Sequence, residues 1–190
     1  MNKYEKFWLF FKNNERYLGE NLITNPDDVA FLVHEELKSI DDDLAFELYE
    51  DTEKDNLTFI VSADGNIELF SEVDELFRYV PSIKGWDIIK FRPALNEFYQ
   101  VIELDGISLK YDDVYFKYEL VGDQIDINVY ISGLVQGDNR YIHAYFLLLD
   151  TLIGEYDAVM RIRNTEVNLL VDKKNLYEFR ELKNIILSLK

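Results

Sequence analysis

The sequence contains no cysteine, and this absence removes disulfides, thiolate metal sites and cysteine nucleophiles together. It also fits a reducing compartment, so we expect a cytoplasmic protein. The longest uninterrupted apolar runs, 7–11 and 144–149, hold five and six residues, whereas a membrane-spanning helix needs about 20. The sequence therefore predicts a soluble chain without a membrane partner.

Glycine and histidine are scarce as well. None of the eight glycines lies in a GxxxxGK[ST] or GxGxxG pattern, which disfavours nucleotide-dependent enzymes. The two histidines, His34 and His143, form no HExxH motif, and no serine lies in a GxSxG elbow. We therefore predict no cofactor and no metal site, and an enzyme is the less favoured class.

Acidic residues, in contrast, are in large excess. The chain has 37 acidic and 20 basic residues, a net charge of -17, which repels nucleic-acid phosphates. The excess is greatest in residues 35–55, which we call the acidic segment. Ten acids and two bases there give a net charge of -10 + 2 = -8.

The acidic segment is a candidate docking surface for a basic protein. We predict its partner-binding residues in exposed connections, at Asp41, Asp42, Asp43, Asp51 and Glu53. The alternative is a solvated face that only keeps the protein soluble. A third hypothesis, mimicry of a nucleic acid, requires carboxylates that are spaced like phosphates.

The first half of the chain predicts the order α, α, β, β, α, β. Tyr4, Phe7, Trp8 and Phe11 share one face of an amphipathic helix, and Asn25-Pro26 begins a second helix that ends near Ser39. The remaining predicted elements are strands 44–50 and 57–63, a helix stopped by Pro81, and a strand over 87–92.

The second half predicts a similar order. Asp105-Gly106 forms the turn of a hairpin, and paired strands follow at 114–120 and 124–132. A helix then ends at Gly154 with a left-handed cap, and a strand covers 158–163. We predict one α+β domain over 1–190 with a continuous, antiparallel-rich sheet, possible β-β-α-β pseudo-repeats at 26–93 and 105–165, and a terminal helix over 174–189, with Leu176–Leu189 packed across the sheet.

Two groups of residues are candidates for a small-molecule site. His143 and Asp150 lie seven residues apart on one helix, near Glu155, and a histidine oriented by an acid can act as a general base. Alternatively, these residues form the solvent-exposed side of a buried helix, or their carboxylates accept hydrogen bonds from backbone amides.

Trp86, Lys90 and Arg92 form the second group. They alternate onto one face of a strand, where a ring and two cations suit an anionic or aromatic ligand. The other interpretation pairs these cations with carboxylates such as Glu47 or Glu50. We expect Arg92, like Asp150, to matter mainly for folding.

Three phrases carry a family resemblance: Phe46-Glu47-Leu48, Gly85-Trp86 running to Phe91-Arg92-Pro93, and 148–150 running to 153–155. They resemble a group of acidic bacterial proteins that share a domain of unknown function. The resemblance implies a bacterial cytoplasmic protein and no particular activity. In size and acidity the chain is also similar to bacterial immunity proteins that neutralise basic toxins.

The sequence thus favours a non-enzymatic interaction module, immunity-type or regulatory, that docks a basic protein. The alternative is a small-molecule enzyme or ligand binder that uses the Trp86/Arg92 face or the His143/Asp150 stripe.

Overall fold

A computed structural model describes residues 1–52, 54–95 and 101–189. The chain has an α+β fold, as predicted, and it divides into two compact units, Met1–Arg92 and Pro93–Lys190. Within these residues its strands form three separate sheets, of three, two and four strands. The predicted single continuous sheet is therefore wrong.

The first unit combines three helices with a three-stranded sheet. Its elements are α1 (Lys3–Asn21), α2 (Pro26–Lys38), β1 (Ala45–Asp51), β2 (Asn56–Ser62), a 3-10 turn (Ile67–Leu69), α3 (Phe70–Phe77) and β3 (Trp86–Lys90). Strands β1 and β2 form the predicted antiparallel hairpin, whereas β3 runs parallel to β2 after the α3 crossover.

Local sequence explains where these helices begin. Asn2 and Glu5 form a reciprocal capping box at the start of α1. Pro26 begins α2, and Asp27 and Asp28 in its first turn oppose the helix dipole. Both predicted helices are confirmed, and Ser39 caps the end of α2 as expected.

An aromatic cluster fills the core of the first unit. Phe59 on β2 is fully buried, and its ring stacks on that of Phe11 with centroids 4.7 Å apart. Phe7 and Trp8 also contact this ring from α1. The Trp8 indole N–H donates to the Leu76 carbonyl at 2.7 Å, which ties α1 to α3.

The second unit builds a four-stranded sheet against helices. Its elements are β4 (Val101–Leu104), β5 (Ile107–Lys110), a 3-10 turn (Tyr111–Asp113), β6 (Val114–Val121), β7 (Gln124–Ile131), α4 (Asn139–Ile153), α5 (Glu155–Arg161), β8 (Ile162–Leu169), β9 (Tyr177–Glu178) and α6 (Glu181–Ser188). Four alternate residues of β7 face the core as predicted: Ile125, Ile127, Val129 and Ile131.

Two predicted elements near the end of the chain are wrong. Residues 158–161 belong to the helix α5 rather than to a strand, and the strand β8 begins only at Ile162. The terminal helix begins at Glu181, because Tyr177 and Glu178 pair with β6 as β9.

The predicted cap at Gly154 needs correction as well. Its φ is positive, at 82°, but its ψ of 149° lies outside the left-handed helical region. This extended conformation is essentially available to glycine alone, and it lets α5 start immediately after α4.

Both units contain the predicted β-β-α-β order. In each, an antiparallel hairpin is followed by a helical crossover to a parallel strand. These strands are β1, β2 and β3 in the first unit and β6, β7 and β8 in the second, where the full order across the sheet is β8-β7-β6-β9. A β-hairpin at β4-β5 precedes this motif in the second unit, where the first unit has the helices α1 and α2. The two units share this topology, while the pseudo-repeats and their origin by duplication stay predictions.

Aspartate occupies several tight turns in place of glycine. Asp55, Asp64 and Asp105 have φ values of 55°, 49° and 47°. Asp105 precedes Gly106, which also has a positive φ, so the β4-β5 hairpin turns as type I′. Aspartate and asparagine tolerate this conformation better than other residues with a side chain.

Candidate functional site

The acidic segment runs from the second half of α2, through β1, to the hairpin turn before β2. Asp42 and Asp43 are exposed in the connection between α2 and β1. The Asp43 amide donates to Asp41 Oδ1 at 3.1 Å, so Asp41 has a local role in the turn. Lys38 approaches Asp42 at 3.5 Å from the last turn of α2. These three aspartates therefore lie in a connection, as predicted.

Asp51 has a different setting from the one expected. It is the last residue of β1, opposite Asn56, rather than a loop residue. Its side chain is only 20% exposed and forms an ion pair with Lys54 at 3.0 Å. Glu53, the fifth predicted binding residue, lies outside the described residues.

Most carboxylates of the acidic segment lack a cation. Nine of its ten acids are described, and three of these form ion pairs: Asp42, Glu47 and Asp51. The other six have no ion pair in the part of the chain that the structure describes: Glu35, Glu36, Asp41, Asp43, Glu50 and Asp55. The segment's two lysines are both occupied, so its negative charge is largely uncompensated locally.

These acids lie in two groups. Asp41, Asp42 and Asp43 precede β1, while Glu50, Asp51 and Asp55 lie at its other end. A seven-residue strand spans about 20 Å at its usual rise. A partner that contacts both groups must therefore extend along β1.

Trp86 is part of the core rather than an exposed platform. Its ring makes an edge contact with Phe11 of α1, with centroids 5.0 Å apart, and the residue is only 9% exposed. Lys90 lies on the same sheet face but forms an ion pair with Asp74 of α3 at 2.8 Å. This arrangement anchors two helices to the sheet, buries the ring and pairs the cation with a carboxylate.

Arg92 joins two acidic side chains. It donates to Glu47 of β1 at 2.7 Å and pairs with Asp64, in the turn after β2, at 2.9 Å. Burial alone would lower the pKa of Arg92, but the hydrogen bonds to Glu47 and Asp64 outweigh this effect and the pKa is raised. Glu47 was one of the partners predicted from the sequence. Asp64 was not foreseen.

His143 and Asp150 are not adjacent. His143 is exposed, Asp150 is half-buried, and both lie on α4. Seven residues correspond to about 10.5 Å of helical rise. Because both side chains point toward the helix N-terminus, their direction does not shorten this separation. Glu155 is fully buried at the first residue of α5. The sequence-based stripe therefore does not form a compact acid-base group.

The second unit has a surface cavity that sequence reasoning missed. Its volume is about 310 Å³, and it is lined by residues from two distant stretches, 111–115 and 178–180. Arg180 pairs with Asp112 at 2.7 Å and lies over the Tyr111 ring, 5.6 Å from its centroid. No local motif could have revealed this cavity, because the pairing of β6 with β9 creates it.

The described residues form neither a metal site nor a membrane span. No cluster of three or more acidic or histidine side chains has metal-binding geometry there. None of the helices in the described ranges is long and apolar enough to cross a membrane.

Comparisons with known proteins add no identity. No protein-family model matches the chain, no curated protein matches it, and no solved structure matches it. Any functional conclusion therefore rests on the geometry of the site.

Proposed function

We propose that this protein is a non-enzymatic interaction module, of the immunity or regulatory type, that docks a basic protein through its acidic segment. One observation carries the proposal: six carboxylates of that segment have no ion pair within the described residues, and both of its lysines are already paired. Solvated carboxylates need no partner for stability, but a surface with this charge attracts a basic one.

The placement of the other candidates supports the same conclusion. Trp86 is in the core, Arg92 is held by two carboxylates, and His143 lies two turns from Asp150. The proposal retains the bacterial, cytoplasmic setting that the resemblance to acidic bacterial proteins implies.

The test uses two charge variants of the full chain. The first neutralises exposed acids at the two ends of β1: Asp42→Asn, Asp43→Asn and Glu50→Gln. It avoids Asp41 and Asp51, since these carboxylates accept hydrogen bonds from nearby backbone amides. The matched control removes three exposed carboxylates from the second unit: Glu103→Gln, Glu119→Gln and Glu166→Gln.

A basic protein captured on the wild-type chain is then measured by stopped-flow association over a salt series. We expect the first variant to slow association by about tenfold, because charge steering acts on the association rate. Salt should have the same effect, since the Debye length falls from about 10 Å at 0.1 M to about 3 Å at 1 M. Equal rates for the wild type and both variants would refute the proposal and leave the segment as a solvated face.

A further inference from the structure

Strand β1 lies at the edge of its sheet. Among the described residues of the first unit, β2 is its only neighbouring strand, and the sheet order is β1-β2-β3. Alternate residues of an edge strand direct N–H and C=O groups away from the sheet, where they can pair with an added strand. Alternate residues along the seven-residue strand β1 therefore provide outward backbone donors and acceptors over about 20 Å.

The two faces of β1 carry different side chains. Phe46 and Leu48 face the core beside Phe59, whereas Glu47 and Tyr49 lie on the opposite face. Tyr49 is 39% exposed. Side chains on adjacent strands stand about 4.5–5.5 Å apart, so a cation on an added strand would reach the Tyr49 ring.

Charge determines what this edge can accept. In an antiparallel pairing of two β1 strands, Asp42 and Asp43 of one copy would lie near Asp51 and Asp55 of the other. Parallel pairing would place identical acids side by side. Both arrangements are repulsive, so the acids disfavour self-association while attracting a basic strand.

We infer that β1 is the docking edge, and that its occupant is an extended, lysine- or arginine-rich segment of the partner protein, added as a fourth strand. Backbone hydrogen bonds along β1 supply affinity, and the carboxylates at its two ends select basic side chains. This inference rests on the proposed function, because it specifies how the acidic segment holds its partner.

The test uses a nine-residue peptide of alternating lysine and valine. A second peptide has the same side chains but carries a methyl group on every backbone nitrogen, so it keeps its charge and cannot donate backbone hydrogen bonds. Binding to the full chain is measured by calorimetry, and the contacted residues are located by amide NMR. We expect the unmodified peptide to bind at least tenfold more tightly and to perturb the amides of 45–51.

Charge reversal locates the edge independently. Glu50→Lys at the end of β1 should weaken binding at least fivefold, whereas Glu166→Lys, on the edge strand β8 of the other unit, should not. Wild-type-like melting of Glu50→Lys shows that a loss of binding is not a loss of folding.

Each other outcome overturns the inference. Equal binding of the two peptides would leave a charged docking surface, and thus the proposed function, but would exclude strand addition. Amide changes centred on β8, or no binding of either peptide, would remove β1 as the docking edge. The proposed function is judged separately, by the salt dependence of association with the captured partner.

Discussion

Arg92 provides a test that separates a folding role from a ligand-binding role. Its side chain is only 16% exposed and donates to carboxylates on β1 and in the turn after β2. Replacement by alanine removes both contacts from the point where the chain leaves β3. The partners, Glu47 and Asp64, are themselves 43% and 63% exposed, so water can solvate them once the guanidinium is gone.

The expected cost follows from these exposures. Breaking a fully buried ion pair costs about 3–5 kcal/mol, and an exposed pair contributes about 0–1 kcal/mol. A hydrogen bond to a charged group contributes about 1.5–3 kcal/mol. Because two such contacts are lost but their carboxylates are re-solvated, we expect Arg92→Ala to cost about 2 kcal/mol. The exposure of Glu47 and Asp64 keeps this cost below that of breaking a fully buried pair.

Urea unfolding followed by tryptophan fluorescence measures this cost. Trp8 and Trp86 are the two tryptophans of the chain, and both lie in the first unit. The signal therefore reports the unit that contains Arg92. At a typical dependence of about 1–2 kcal/mol per M urea, the midpoint should fall by about 1–2 M.

Lys90→Ala is the matched control. Its ion pair with Asp74 is exposed on both sides, at 41% and 59%, so the change should stay below about 1 kcal/mol. Arg92→Lys should fall between the two, because lysine keeps the charge but cannot reproduce the geometry of two guanidinium contacts. An Arg92→Ala midpoint equal to that of the wild type would refute the reasoning and restore Arg92 as a ligand-binding candidate.

Three further predictions concern other parts of the chain. Lys3 and Tyr4 donate to Glu72 at 2.7 and 2.9 Å, and the Lys3 hydrogen bond lowers the pKa of Glu72 below its usual 4.5. The pairing therefore stabilises the fold at neutral pH and loses its contribution as the pH falls below 4.5 through the lower folded pKa. In urea titrations at pH 7 and pH 3, Glu72→Gln should show less acid destabilisation than the wild type; equal losses would contradict this. Burial raises the pKa of the Tyr145 hydroxyl and the nearby Thr165 side chain opposes this shift, but the contact falls short of a well-formed hydrogen bond; Tyr145→Phe should therefore cost less than about 1 kcal/mol in thermal melts, and a larger loss would show that the Thr165 contact is a full hydrogen bond. Gly154→Ala should cost about 1–3 kcal/mol in thermal melts, because alanine disfavours the backbone angles found there; wild-type melting would show that the α4–α5 junction relaxes.

The spacing of apolar residues correctly predicted the elements that have one buried face and one polar face. Four isoleucine or valine residues alternate with polar residues along β7, and a slip of one residue would expose all of them. The helix α1 was equally clear, since its buried aromatic residues recur at helical spacing. Local sequence was sufficient in these cases.

The errors arose where local patterns are ambiguous. Residues 158–163 form a short apolar and basic run that suits a strand or a helix, and Gly154 decides the outcome by starting α5. A register shift beside Ile125 then interrupts the alternation of β8 and hides its period. β9 has only two residues and exists through its pairing with the distant strand β6.

The candidate site was predictable in composition but not in geometry. The sequence identified the acidic segment and the pairing of Arg92 with Glu47. It did not show that Asp51 ends a strand or that the remaining acids lie at two ends of an edge. Those facts depend on which strands become neighbours, and such long-range pairing is absent from any short stretch of sequence.

The aspartates in the tight turns are positions where the charge of this chain can change while its backbone conformation stays the same. Asp55 and Asp105 adopt left-handed angles that asparagine accepts equally well. Exchanging both for asparagine would change the net charge from -17 to -17 + 2 = -15 while preserving the conformational preference of each turn. Asp64 differs, because its carboxylate also binds Arg92. Evolution can therefore adjust the electrostatic field of this protein at hairpin corners without altering how its strands connect.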